Sequence, residues 1–254
     1  MIPLVVLLFA LQIFTQLLIN YQWCRVASLT DTKISFWDMM YINCQGGLVD
    51  SITPKLGGEV TRAFKLSKIK KHGTTLVVLQ KFFSLSAMFL VLAFTELVFA
   101  LILLAFLGVF FVLSKNQKYA KKAPRFLRDF LHTLLGQMDN IRKQKKASSA
   151  LFLLSLFIWV LYPVKMYLLV LHFYSDISFF QVAIITFTAY MVAQLPIFPG
   201  GLGGFEATMS AMLAVQGIPL GEAITITVIF RFVTFWFVAL FSLLYIFIAR
   251  RKSH

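Results

Sequence analysis

No charged residue precedes Arg25, so the chain opens on more than 20 residues that can enter hydrocarbon without stranding a charge. At about 1.5 Å per residue, a helix over 2–21 is long enough to cross the roughly 30 Å apolar core of a bilayer. Comparable runs return at 75–94, 97–113, 150–173 and 224–249. Within lipid, each spanning segment must satisfy its own backbone N–H and C=O groups, and helices do this. The composition agrees: 59% hydrophobic residues and 28 phenylalanines are more apolar surface than a soluble 254-residue domain could bury. The sequence therefore predicts an all-α polytopic protein of the cell membrane.

Several classes fall away. A net charge of +14 suits basic loops facing anionic lipid, so nucleic acid is not an expected partner. Cys24 and Cys44 make no metal signature, and His72, His132, His172 and His254 are scattered. No metal or other cofactor is expected. No basic region precedes the first apolar run, and neither a cleavable signal peptide nor a lipidation motif is expected. No GxxxxGK[ST] loop is present, so direct drive by ATP is not expected.

The polar exceptions are patterned. Gln12, Gln16 and Asn20 recur every four residues on one helical face, which should look into the bundle as helix contacts or as cavity lining. Trp23 and Arg25 read as interface anchors. Residues 35–52 are apolar yet hold Asp38, Asn43, Gln45 and Asp50. They lead into "TPKLGGEVTRAF" at 53–64 and a basic tail at 65–71. Only Thr95 and Glu96 separate the spans 75–94 and 97–113, which predicts a tight helical hairpin. Residues 114–146 carry ten Lys or Arg. After Pro124, the residues Leu127, Phe130, Leu131, Leu134, Met138 and Ile141 keep helical spacing. That predicts a basic amphipathic helix, lying either on the membrane or against a protein partner. A kink is expected at Pro163.

Charge fixes the sides. Segments 60–72, 114–146 and 250–252 hold five, ten and three Lys or Arg and are predicted cytoplasmic, the C-terminus included. The turn at 95–96 and the loops around Asp176 and Glu222 carry acids without Lys or Arg and are predicted outside. Residues 35–59 must then enter and leave from the cytoplasm, and 179–216 must enter and leave from outside. Each is predicted to be a re-entrant helical hairpin. Pro54 breaks the first, and Pro196 and Pro199 break the second. The tips match: Gly57-Gly58-Glu59 follows Pro54, and Gly203-Gly204-Phe205-Glu206 follows Pro199. A span, a broken hairpin and a span thus occur twice in opposite orientations, as in inverted-repeat transporters. The expected layout is a single transmembrane domain over 1–254. A first repeat covers about 2–94, with its hairpin at 35–59. A connecting span at 97–113 and the amphipathic segment 114–146 lead to a second repeat at about 150–249, with its hairpin at 179–216. In all, about five full spans accompany the two hairpins.

"TPKLGGEVTRAF" and "LPIFPGGLGGFEATMSAML", together with Arg231 in the last span, resemble the flippase-like family. That family comprises the transmembrane region of lysylphosphatidylglycerol synthases and its stand-alone relatives. The resemblance covers most of the chain. It implies a polytopic protein that handles a phospholipid or a polyprenyl-linked lipid. It also implies that Pro54, Gly58, Glu59, Arg62, Pro199, Gly200, Gly201, Gly203, Glu206 and Arg231 occupy family positions. The first span looks like the family's second helix, and the soluble aminoacyl-transfer domain is not in this sequence, so synthase activity is not expected.

Chemistry narrows the site. Glu59 and Arg62 share a helical face. Arg231, amid "VIFRFVTFW", costs roughly 2.5 kcal/mol or more at the bilayer centre unless a carboxylate, water or an anion meets it. Both Gly-Gly tips precede helix starts, where unpaired N–H groups and a positive dipole end favour anions. The predicted substrate-binding set is Lys55, Gly58, Glu59, Arg62, Gly200, Gly201, Gly203, Gly204, Glu206 and Arg231. Glu59–Arg62 and Glu206–Arg231 could equally be ion pairs that hold the fold. Lys81 can snorkel to the cytoplasmic interface, and Lys165 falls deeper in its span. Tyr190 and Trp236 read as packing or belt residues. A lipid transporter is the leading expectation, with an anionic or polyprenyl-linked lipid as ligand and no catalytic residues. A membrane-embedded transferase acting on a lipid phosphate is the second reading. The third is a scaffold that recruits a soluble enzyme through 114–146. A soluble enzyme or a second copy of the chain are the remaining partner classes.

Overall fold

The computed structural model describes residues 2–30, 32–53, 56–69, 73–93, 101, 108, 143–194 and 198–251. The described elements are helical throughout: α1 Ile2–Leu29, α2 Phe36–Ile52, α3 Leu56–Ile69, α4 Gly73–Ala93, α5 Lys145–Leu171, α6 Phe179–Ala193, a 3-10 turn Pro199–Gly201, α7 Gly204–Val215, α8 Leu220–Arg231, a π-turn Phe232–Trp236 and α9 Phe237–Arg251. Among them, Ile2–Leu29, Gly73–Ala93, Lys145–Leu171 and the run Leu220–Arg251 are long and apolar enough to cross a membrane. An all-α polytopic membrane fold is what the apolar runs predict; the ends observed for 75–94, 150–173 and 224–249 fall within five residues of them, whereas α1 continues eight residues past the predicted end at 21. Pro163 sits inside the continuous α5. The expected span 97–113, the turn at 95–96 and the amphipathic segment lie outside the described residues, except for 101, 108 and 143–146.

The surface is inverted relative to a soluble protein. On α1, Gln12, Thr15, Asn20 and Gln22 are buried, while Val6, Leu7, Ile13, Phe14 and Leu17 are exposed. On α9, Leu240, Leu243, Leu244, Phe247 and Ile248 are likewise exposed. Apolar side chains cost nothing against lipid tails, whereas polar ones must find partners inside the bundle. Of the predicted polar stripe, Gln12 and Asn20 therefore face inward, and Gln16 is half-buried.

The chain groups into two compact units. One comprises 21–39 and 62–157. Its interior holds a polar chain in which Gln80 Nε2 donates to Gln22 Oε1 at 3.2 Å and Gln22 Nε2 donates to Ser155 Oγ at 2.6 Å. Leu76, Leu79, Phe83, Ala87 and Leu92 of α4 are buried in the same unit. Gly73, the first residue of α4, lies so close to α3 that a Cβ there would strike the Ala63 carbonyl and the Ser67 backbone.

The other unit comprises 1–20, 40–61 and 158–254. Two helical hairpins lie in it. In the first, the end of α2 folds back on the start of α3, and Gly58 approaches so closely that a Cβ would overlap Asp50 Cγ and the Gly46 carbonyl. In the second, α6 and α7 run antiparallel. Ser178 and Gln181 form a capping box at the start of α6, and Gln181 Nε2 donates to Gln216 Oε1 at 2.8 Å across the open end. At the closed end, a Cβ on Gly201 would lie 2.7 Å from Ala193 Cβ. An aromatic core of Trp159, Tyr162, Phe187, Tyr190, Phe205 and Phe230 fills the space beside this hairpin.

Candidate functional site

The second tip is built by glycines in backbone regions that L side chains avoid. Gly200, Gly201 and Gly203 have φ values of 59°, 73° and 82°. This geometry turns the two polar groups of Gly200 in useful directions. Its N–H donates to the Thr53 carbonyl at 3.2 Å, so the tips of the two hairpins touch backbone to backbone. Its carbonyl accepts from Arg231 Nη2 at 2.6 Å. There is no room for a side chain: a Cβ on Gly200 would lie 2.7 Å from Phe235 Cζ and 3.0 Å from the Ser51 carbonyl.

Arg231 ends α8, and the π-turn Phe232–Trp236 follows at once. Its closing bond runs from the Phe237 N–H to the Phe232 carbonyl, and such wide turns recur at functional sites. The guanidinium carbon lies 4.7 Å from the Phe205 ring centroid and 4.3 Å from that of Phe235. Two aromatic faces thus hold the cation where water is scarce. Arg231 Nε donates to Glu206 Oε1 at 2.8 Å. The other carboxylate oxygen, Glu206 Oε2, accepts from the Gly203 N–H at 2.7 Å and so caps the first turn of α7. The side chains are unequally covered, 7% exposed for Arg231 and 26% for Glu206. A guanidinium has five N–H donors. Two of them are committed here, to Glu206 and Gly200, and the remaining three have no hydrogen-bond partner among the described residues.

The first tip uses a carboxylate as well. Asp50 Oδ1 accepts from the Gly58 N–H at 3.0 Å, so in each hairpin a carboxylate takes a glycine amide at the start of the returning helix. The sequence pairs Glu59 with Glu206, yet the residue that performs this task in the first hairpin is Asp50. Glu59 stands half-buried in the first turn of α3 with its Oε2 atom covered. Further up α2, Asn43 Nδ2 donates to Asn20 Oδ1 at 2.9 Å.

The structure brings Gly200, Gly203, Glu206 and Arg231 into one hydrogen-bonded cluster, with Gly201 and Gly204 packing beside it. A Cβ on Gly204 would lie 2.7 Å from Phe198 Cδ2. Gly58 serves the approach of α2 to α3. Arg62 belongs to the other unit, its guanidinium 5.9 Å from the Trp23 ring centroid. Lys55, Pro54 and Pro196 lie outside the described residues, and Pro199 opens the 3-10 turn. Lys165, a minor candidate by sequence, is fully buried against Gln12 and Thr15. Phe205 and Phe235 carry no signal that separates them from the other phenylalanines. No group of three or more His, Cys, Asp or Glu that could hold a metal occurs among the described residues.

The chain has relatives. Two membrane proteins designated UPF0104 from Methanothermobacter thermautotrophicus are similar to this chain. One is 27% identical over 123 residues, covering 48% of this chain and 36% of the relative, and the other is 35% identical over 99 residues, covering 37% and 30%. A UPF0104 membrane protein from Pyrococcus horikoshii is 28% identical over 121 residues, covering 48% of this chain and 35% of its own length. The matched stretches thus span only about a third of these relatives. No solved structure matches the chain. The family model for the lysylphosphatidylglycerol synthase TM region matches residues 1–242, and with that match over nearly the whole sequence the chain belongs to this family of integral membrane proteins.

Proposed function

We propose that the protein binds the anionic headgroup of a membrane lipid at Arg231 and carries it between leaflets, while the lipid tail stays in the bilayer. The observation that carries this reading is the partly committed guanidinium. Arg231 is buried, clamped by Phe205 and Phe235, and placed where Gly200 joins the first tip at Thr53. Its three N–H groups without a hydrogen-bond partner among the described residues match the oxygens of a phosphate or phosphodiester, and planar donors of this kind favour such anions. Glu206 balances the charge when no lipid is bound and keeps the empty site neutral.

In this reading the hairpins α2–α3 and α6–α7 enter the bilayer from opposite faces as an inverted repeat. Their tips meet near the midplane beside a polar chamber. Interrupted backbone at such depth is stable only where protein or water covers it. The ligand is a phospholipid or a polyprenyl-phosphate-linked lipid. Segments 60–72, 114–146 and the C-terminus face the cytoplasm, which attracts anionic lipid.

Leaflet exchange tests the reading. The purified protein is reconstituted in liposomes with a fluorescent anionic phospholipid in one leaflet, and exchange is followed by quenching with a membrane-impermeant reductant. Wild type should accelerate exchange, and Arg231→Gln and Glu206→Gln should slow it by at least about tenfold, the loss of one charge-assisted contact. Appearance of a new lipid species would favour the transferase reading. Exchange unaltered by both substitutions would reject Arg231 as the headgroup site.

A further inference from the structure

A second buried cation lies in the same unit without a carboxylate. Lys165 stands six residues before the end of α5 at Leu171, and none of its surface is exposed. Its Nζ donates to Gln12 Oε1 and, at 3.2 Å, to Thr15 Oγ1. The Tyr162 ring covers the ammonium with its centroid 4.3 Å away. Thr15 has already committed its own hydrogen to the Leu11 carbonyl at 2.7 Å, so it meets Lys165 only as an acceptor. No carboxylate lies within ion-pairing distance of Lys165 among the described residues.

The donors outnumber the acceptors. An ammonium has no acceptor site, so the Gln12 amide must turn its oxygen toward Lys165. Its Nε2 then points away, buried and without a hydrogen-bond partner among the described residues. Buried donors are almost always paired, and a buried ammonium held only by neutral groups is rarer still. The cluster therefore has one positive charge and a spare amide N–H, and it lacks an anion. Tyr162 supplies the negative face of its ring where that anion would sit. Tyr162 packs its ring against Trp159 and Tyr190, so it has to rotate before an anion can reach the ammonium.

We infer that the Lys165 ammonium and the Gln12 amide N–H, with Thr15 holding the ammonium in place and Tyr162 covering it, form a second oxyanion site that takes a phosphate or phosphodiester group when the Tyr162 ring swings aside. The inference rests on the reading that the protein handles an anionic lipid. It is a separate station from Arg231, joined to it by a row of rings. The Tyr162 and Tyr190 centroids are 4.9 Å apart, those of Tyr190 and Phe205 are 4.9 Å apart, and Phe205 faces Arg231.

The test uses the full chain in phosphatidylcholine nanodiscs, titrated with dihexanoyl phosphatidate in one arm and inorganic phosphate in the other. An Arg231→Gln background removes the first site. Saturable binding of dihexanoyl phosphatidate should persist in that background and weaken at least about tenfold when Lys165→Met is added. Gln12→Leu, which keeps the lysine and removes the spare amide, should also weaken binding and serves if Lys165→Met does not fold. Displacement by inorganic phosphate would identify a free anion as sufficient, and binding of the amphiphile alone would identify a lipid headgroup. Binding that is absent in the Arg231→Gln background, or unchanged by both further substitutions, overturns the second site and leaves Lys165 as a packing residue. Failure of the first site has a different signature: leaflet exchange in Arg231→Gln equal to wild type.

Discussion

Replacing Gly200 with alanine should destabilise the protein through two separable effects. The residue holds φ at 59°, where an added Cβ crowds the following carbonyl at a cost of about 1–2 kcal/mol. The same Cβ would lie 2.7 Å from Phe235 Cζ and 3.0 Å from the Ser51 carbonyl. Overpacking of this kind costs a further 1–3 kcal/mol or so. The expected total for Gly200→Ala is roughly 2–5 kcal/mol. Gly203→Ala is the internal control. Its φ of 82° comes with a ψ of −53°, a sparsely populated region that costs a side chain roughly 1–3 kcal/mol, and nothing lies within 4 Å of a Cβ there, so its cost is a backbone effect alone. Adding Phe235→Ala to Gly200→Ala removes one of the two clashes and should recover part of the loss, a coupling that neither single substitution shows. Equilibrium unfolding by SDS in mixed micelles measures all four variants. The absence of coupling between Gly200→Ala and Phe235→Ala would refute the packing assigned to the tip.

Two other substitutions probe the rest of this unit. Gly58→Ala should cost about 1–3 kcal/mol in the same unfolding assay, because its Cβ overlaps Asp50 Cγ and the Gly46 backbone. Asn43→Leu removes the 2.9 Å bond to Asn20 and should cost about 0.6–1.7 kcal/mol, the range measured for side-chain hydrogen bonds between membrane helices.

Much of the fold is legible because lipid imposes a coarse code. Span length and the absence of charge place α4, α5 and the run from α8 to α9 within five residues, while α1 runs on past Arg25 to Leu29 because its helix continues beyond the uncharged stretch. Proline and glycine mark the two hairpins because they interrupt helices nowhere else with such density. The Glu206–Arg231 pair is also foreseeable, since a central arginine demands an anion and few carboxylates are available. Other features depend on distance in sequence. Asp50 caps the Gly58 amide only after the hairpin closes, and nothing local distinguishes it from Asp38. Lys165 meets Gln12 across 153 residues, a pairing no periodicity reports. Phe205 and Phe235 are two phenylalanines among 28, and their role appears only once the π-turn has rotated one of them beneath the guanidinium.

The central claim is that the two hairpin tips meet deep in the bilayer, and spin labelling measures this most directly. With Cys24 and Cys44 replaced by alanine, nitroxides are attached through Ser51→Cys and Leu202→Cys in nanodiscs, singly for depth and together for proximity. The account predicts strong dipolar broadening for the pair and relaxation profiles that place each label well inside the hydrocarbon region. Labels that lie at the headgroup level, or a pair whose spectrum equals the sum of the singles, would contradict it.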